Sequence, residues 1–220
     1  MSILKIISGL TLVIAAAGAA AQAAPPNVEQ LTAYFRAVQM DDVRTVEKMV
    51  AGRVVNPNQA DPRNGESGLI LALREGSPRV AAALIALPGL DLEQRAPNGN
   101  TALMMAAFKH NLPAAQALLD RGAQVNREGW NALHFAAAAG DDPITRLLLA
   151  RGAAIDARAP AGFTALMLAA REGQESTVQL LLEQGADRSL VNSEKLDAAQ
   201  IAERADKPSL AQAIRAYRTK

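Results

Sequence analysis

One eight-residue pattern is written four times along this chain. It reads Gly65-Glu66-Ser67-Gly68-Leu69-Ile70-Leu71-Ala72, Gly99-Asn100-Thr101-Ala102-Leu103-Met104-Met105-Ala106, Gly129-Trp130-Asn131-Ala132-Leu133-His134-Phe135-Ala136 and Gly162-Phe163-Thr164-Ala165-Leu166-Met167-Leu168-Ala169. The leading glycines are separated by 34, 30 and 33 residues. A period in this range belongs to stacked units, none of which can bury its own apolar face, rather than to one closed globule. Further along each unit comes an apolar cluster, which in three copies ends in Gly-Ala: Leu118 to Ala123, Leu148 to Ala153 and Leu181 to Ala186.

Within each unit the spacing predicts a helix, a tight turn and a second, antiparallel helix. Ser67, Thr101, Asn131 and Thr164 stand where a side-chain oxygen can accept from a free amide at a helix start. In the third unit that helix is expected from about Thr101 to Lys109. Gly76, Gly140 and Gly173 mark the turn, where positive φ ends a helix without a steric clash. His110 holds that slot in the third unit and reads as a strained turn residue rather than a catalyst, because histidine is among the few other residues that visit the region. Val80-Ala83-Leu84, Ala114-Leu118, Ile144-Leu147-Leu148 and Val178-Leu181-Leu182 give each second helix one apolar side. Few aromatics, at 3%, and many alanines suit thin helices packed closely.

These features resemble the ankyrin repeat, whose pattern runs G-x-T-P-L-H-x-A-A-x-x-G, then a second helix, then L-L-x-x-G-A-D. The resemblance covers nearly all of the chain after about residue 27. It implies an all-α solenoid of stacked helix-turn-helix units with projecting hairpin loops. Six units are read: a degenerate N-terminal capping repeat over 28–60, repeats over 61–92, 95–125, 126–155 and 158–188, and a degenerate C-terminal cap over 191–220. In the first unit, helices are expected over Leu31 to Met40 and Val43 to Ala51; the final helix is expected over about Ser209 to Tyr217. Lys195, 33 positions after Gly162, keeps the register where the glycine is lost. Gly99, Thr101, Gly129, His134, Gly162 and Thr164 fall on the family's structural positions. His134 matches the motif histidine that ties a helix start to neighbouring turn backbone.

Ahead of the repeats, Lys5, the apolar run Ile6 to Ala17 and Ala21-Gln22-Ala23 read as a signal peptide over 1–23, cut after Ala23. The alternative, an uncleaved anchor, is poorly served by so short a stretch followed at once by Pro25-Pro26. The expected location is the periplasm, with secretion as the alternative. Cysteine is absent, which excludes disulfides, lipid attachment at a cysteine and a thiol nucleophile. Without Lys5 the basic and acidic side chains balance at 22 each. No basic stripe suited to phosphate backbones exists, so no nucleic acid is expected as partner, and no membrane once the signal is removed. With two histidines and no cysteine, transition-metal ligands are lacking. The serines fall at predicted caps and loops, and the glycines follow the repeat rather than a phosphate-binding spacing. The expectation is a monomer that is not an enzyme and takes neither cofactor nor metal.

The resemblance implies that the concave surface, made by the first helices and the finger-like loops, binds another protein as scaffold, stabiliser or inhibitor. On this surface the slots after the motif glycines and before the turns point to Phe108, Lys109, Trp130, Phe163, Arg171, Glu172, Arg74 and Glu75 as contact residues. Phe135 is assigned to a helix interior. Gly122 to Gly129 is 7 residues where Gly152 to Gly162 is 10, so the finger before Trp130 is short and should leave a notch. The expectation is an aromatic patch of Phe108, Trp130 and Phe163 around Ala138-Ala139; the alternative is that the finger folds down and Trp130 covers the loop base. Glu93, Arg95, Arg127, Glu128, Asp156, Arg158 and Arg188 are expected as a solvated rim. Two other functions stay open: a small-molecule or peptide receptor using the notch, and a secreted effector acting on a host protein.

Overall fold

The computed structural model describes residues 25–218, so the signal peptide read over 1–23 lies outside the described residues. The described residues form twelve α-helices in six pairs. The pairs are α1 (Val28–Gln39) with α2 (Val43–Ala51), α3 (Gly68–Glu75) with α4 (Pro78–Ala86), and α5 (Ala102–Phe108) with α6 (Leu112–Asp120). They continue with α7 (Ala132–Ala139) and α8 (Asp142–Ala150), α9 (Ala165–Glu172) and α10 (Glu175–Glu183), and α11 (Ala198–Arg204) and α12 (Pro208–Ala216). First helices pack on first helices and second helices on second helices from one end to the other. A single apolar core runs the whole length, from Tyr34 to Ile214. No strand is present among the described residues; one isolated bridge joins Ala60 and Ser67.

The backbone keeps the register even where the motif fades. The helix-to-helix turn takes left-handed φ at Asp41, Gly76, His110, Gly140, Gly173 and Asp206, in steps of 35, 34, 30, 33 and 33. His110 sits there at φ 56°, as the spacing predicts, and the two end units use aspartate. Lys195, at φ 64°, takes the conformation of the motif glycines.

Five of the six first helices open on a reciprocal cap, and in α3 the Ser67 side chain caps alone. The Thr101 hydroxyl accepts from the Met104 amide at 3.4 Å, and the Met104 sulfur accepts from the Thr101 amide at 3.5 Å. Thr164 and Met167 repeat the arrangement. In α7 the pair is Asn131 and His134: Asn131 Oδ1 accepts from the His134 amide, and His134 Nδ1 from the Asn131 amide at 3.2 Å. The N-terminal unit departs from the rest in its core. Seven residues before its turn stands Tyr34, fully buried, where the next four units place Leu69, Leu103, Leu133 and Leu166. Gly68 makes room for it, in a slot that later units fill with Ala102, Ala132 and Ala165: a Cβ on Gly68 would lie 2.5 Å from the Tyr34 hydroxyl.

Candidate protein-binding surface

The loops between units are tied to one another by side chains that recur with the repeat. Oxygens of Asn58, Glu93, Asn126 and Asp156 accept from the amides of Asp91, Gln124, Ala154 and Asp187, at 2.8, 2.8, 2.8 and 3.0 Å. This ladder places the deletion. Glu93 and Asp156 stand six residues before Gly99 and Gly162, but Asn126 stands three before Gly129. The loss therefore falls in the tip of the finger, beyond the ladder.

Each complete finger is closed by two backbone hydrogen bonds. Ala96 N donates to Asn100 O at 2.9 Å and Gly99 N to Ala96 O at 2.8 Å. Ala159 N donates to Phe163 O at 2.8 Å and Gly162 N to Ala159 O at 3.0 Å. The pattern recurs at Asp61 with Glu66 and Gly65, and at Asn192 with Leu196 and Lys195. In the short finger neither bond forms, so Gly129 N and Trp130 O have no backbone partner among the described residues. Where the tip would be there is a cavity of about 200 Å³, lined by Trp130, Arg127 and Glu128 and by Arg95, Asn98 and Pro160 of the flanking fingers. The notch expected from the glycine spacing is present.

The aromatic side chains beside it group differently from the expectation. Trp130, 40% exposed, sets its ring edge-on to His134 at 5.7 Å and to Phe135 at 6.1 Å. Phe108, 51% exposed, meets Phe135 at 6.3 Å. Phe135, read as helix interior, is half-buried and joins the other two. Five residues before their turns, the equivalent Leu71, Met105 and Leu168 are buried. Phe163 is not part of this group: it lies half-buried beneath the Arg171 guanidinium, 5.6 Å from the ring centre. It lines a separate cavity of about 280 Å³ with Arg171, Asn192, Glu194, Leu196 and Arg204. The patch is therefore Phe108–Phe135–Trp130.

Ion pairs stand along the helix ends to either side. Arg74 reaches Glu66 and Glu75, both at 3.0 Å, and Arg171 reaches Glu172 at 2.9 Å. Lys109, the C-cap of α5, is exposed. Three arginines expected in a solvated rim instead hold units together. Arg127 pairs with Glu93 at 3.1 Å and keeps only 10% of its side chain exposed. Arg158 donates to Val191 O at 2.9 Å, and Arg188 to Ile214 O and Arg215 O at 3.0 and 2.6 Å. Carbonyl groups at the ends of neighbouring units offer these guanidinium donors fixed partners, which solvent alone does not.

Both histidines are tied into the repeat framework by hydrogen bonds. His134 is buried, accepts at Nδ1 and donates from Nε2 to Ala157 O at 3.0 Å. Burial holds its pKa below the usual histidine value, so the ring is neutral with both nitrogens engaged. His110 Nδ1 lies 3.0 Å from Asp141 Oδ2, while Asp141 Oδ1 caps α8 by accepting from Ile144 N at 2.7 Å. Among the described residues no cluster of metal-ligating side chains exists, and no helix is long and apolar enough to cross a membrane. Sequence reasoning missed the ladder and Phe135. The ladder had a signal, since Glu93, Asn126 and Asp156 each stand four residues after a helix-ending glycine.

Comparison with known proteins agrees with this architecture. The family model for ankyrin repeats (3 copies) matches residues 34–128 and 123–192. The solved complex of the Bd0816 predatory endopeptidase from Bdellovibrio bacteriovorus with immunity protein Bd3460 contains a chain of the same fold. That chain aligns with a TM-score of 0.74 and 26% identity over 84% of this chain and 98% of its own length. The ankyrin repeat and SAM domain-containing protein 6 of Rattus norvegicus is 38% identical over 71 residues, which are 30% of this chain and 8% of that protein. This chain thus spans a small part of that relative's length.

Proposed function

The chain belongs to the ankyrin-repeat family, and on that premise we propose that it is an exported, periplasmic binding module that inhibits or shields an enzyme of the same compartment. The observation that carries this reading is the partly exposed aromatic trio beside the missing fingertip. Phe108 and Trp130 expose 51% and 40% of their surface, and aromatic side chains exposed next to a concavity are the usual anchors of protein interfaces. The inhibitory role is supported by the solved neighbour, whose complex unites an endopeptidase with an immunity protein. A small-molecule receptor is disfavoured by size. The notch holds about 200 Å³, whereas ligand pockets are typically about 300–1,000 Å³.

The test begins with the chain from Ala24 onward as bait in an envelope extract of the source organism. Each captured enzyme is then purified and assayed with and without the chain. The expected result is an envelope hydrolase whose turnover falls on stoichiometric addition, and falls less with a folded Trp130→Ala, Phe108→Ala variant. A partner whose activity is unchanged at saturation overturns the inhibitory role. Inhibition that is identical for the variant removes the aromatic trio from the interface.

A further inference from the structure

We propose that the gap at the short finger is a receptor for one extended loop of the partner, which takes the place of the missing fingertip. This deepens, and rests on, the protein-binding reading above. The flanking fingers supply the template. Both tips read Arg-Ala-Pro, at Arg95-Ala96-Pro97 and Arg158-Ala159-Pro160, and the alanine of each is buried. That alanine gives its N–H to the carbonyl of the residue after the motif glycine, and its C=O to the glycine amide. In the short finger the corresponding groups, Trp130 O and Gly129 N, are left without these bonds.

One residue of an extended segment supplies both missing bonds at once, as strand addition does elsewhere. Its side chain can be larger than alanine, because the absent tip leaves a cavity of about 200 Å³ against the Trp130 ring. Charge fixes the direction of the segment. Arg95, contributed by the preceding finger, is exposed and makes no ion pair among the described residues, whereas Arg127 is already neutralised by Glu93. Glu128, contributed by the short finger itself, is exposed on the same cavity. The loop that fits is therefore a protruding turn with a central apolar residue, an acidic residue toward Arg95 and a basic one toward Glu128.

A display library of disulfide-cyclised heptapeptides, selected against the folded chain from Ala24 onward, tests this whether or not the natural partner has been captured. The decisive control inserts Arg-Ala-Pro between Arg127 and Glu128, which rebuilds the finger on the pattern of its neighbours. Circular dichroism and thermal melting establish that this variant is folded. The expected result is selected loops with an apolar centre flanked by opposite charges. They should shift the Gly129 amide resonance and Trp130 fluorescence, and bind the insertion variant at least tenfold more weakly. A library that yields no binder, or binders that hold the insertion variant equally well, overturns the proposal. Binders of the latter kind leave the broader protein-binding reading intact. That reading fails separately, when the chain captures no protein from the envelope extract.

Discussion

At the scale of single residues, the most informative pair is Tyr34 with Gly68. The Tyr34 hydroxyl is buried without a hydrogen-bond partner, and burial pushes its pKa up to about 12. An unpaired buried hydroxyl costs about 1–3 kcal/mol, so Tyr34→Phe is expected to leave urea-unfolding stability unchanged or raised. Gly68→Ala should lower it by about 1–3 kcal/mol through overpacking. Tyr34→Leu with Gly68→Ala, which copies the Leu and Ala of the later units, should recover most of that loss in a double-mutant cycle. His134 yields a pH prediction. Its folded pKa lies below the unfolded value, so the unfolded state binds the extra proton first. Stability is then complete above the unfolded pKa, about 6.5, and falls as pH drops below it. His134→Gln should flatten that dependence in melts between neutral and mildly acidic pH, since Gln200 fills the same slot in the last unit and accepts from Asp197 N at 2.9 Å. The structural role of His134 was legible from its place in the motif. The partial exposure of Phe135 was not, because the motif assigns it the same helix-interior place as Leu71, Met105 and Leu168, which are buried.

At the scale of elements, glycine spacing alone located the short finger, but it could not show that both closing hydrogen bonds were lost. Backbone pairing depends on where within the loop the residues are missing, and only the ladder of side-chain acceptors places that. Helix boundaries shifted for a similar reason. Apolar periodicity predicted α1 from Leu31, whereas the helix begins at Val28 because Asn27 and Gln30 form a reciprocal cap at 2.8 and 2.9 Å. That polar exchange adds a turn which the buried face does not require. Asn126 is the residue on which the short finger depends: its side chain donates to Gly152 O and accepts from Ala154 N, both at 2.8 Å. Asn126→Ala should cost about 1–2 kcal/mol for the two exposed bonds. Hydrogen exchange at the Ala154 amide should rise well above that of its neighbours. Exchange unchanged at Ala154 would mean that the loop is held by other contacts.

For the molecule as a whole, each unit packs against the units before and after it, so stability is a sum of local terms and interfaces rather than one global figure. Substitutions of the same kind should then have different reach. Leu118, fully buried in α6, has units on both sides, whereas Leu210 in α12 has a neighbour on one side. Leu118→Ala should cost about 2–5 kcal/mol and loosen hydrogen exchange through the central units. Leu210→Ala should release α11 and α12 while leaving α5 to α8 protected. The proposed interface draws Phe108, Phe135 and Trp130 from the two central units and Arg95 from the finger between α4 and α5. Fraying of the last unit should therefore leave affinity for the captured enzyme within about twofold, a difference of about 0.4 kcal/mol. Loosening the central units should weaken it in proportion to the fraction opened. If Leu210→Ala abolishes binding while α5 to α8 remain protected, the partner engages the C-terminal end of the stack and the central notch is not its anchor.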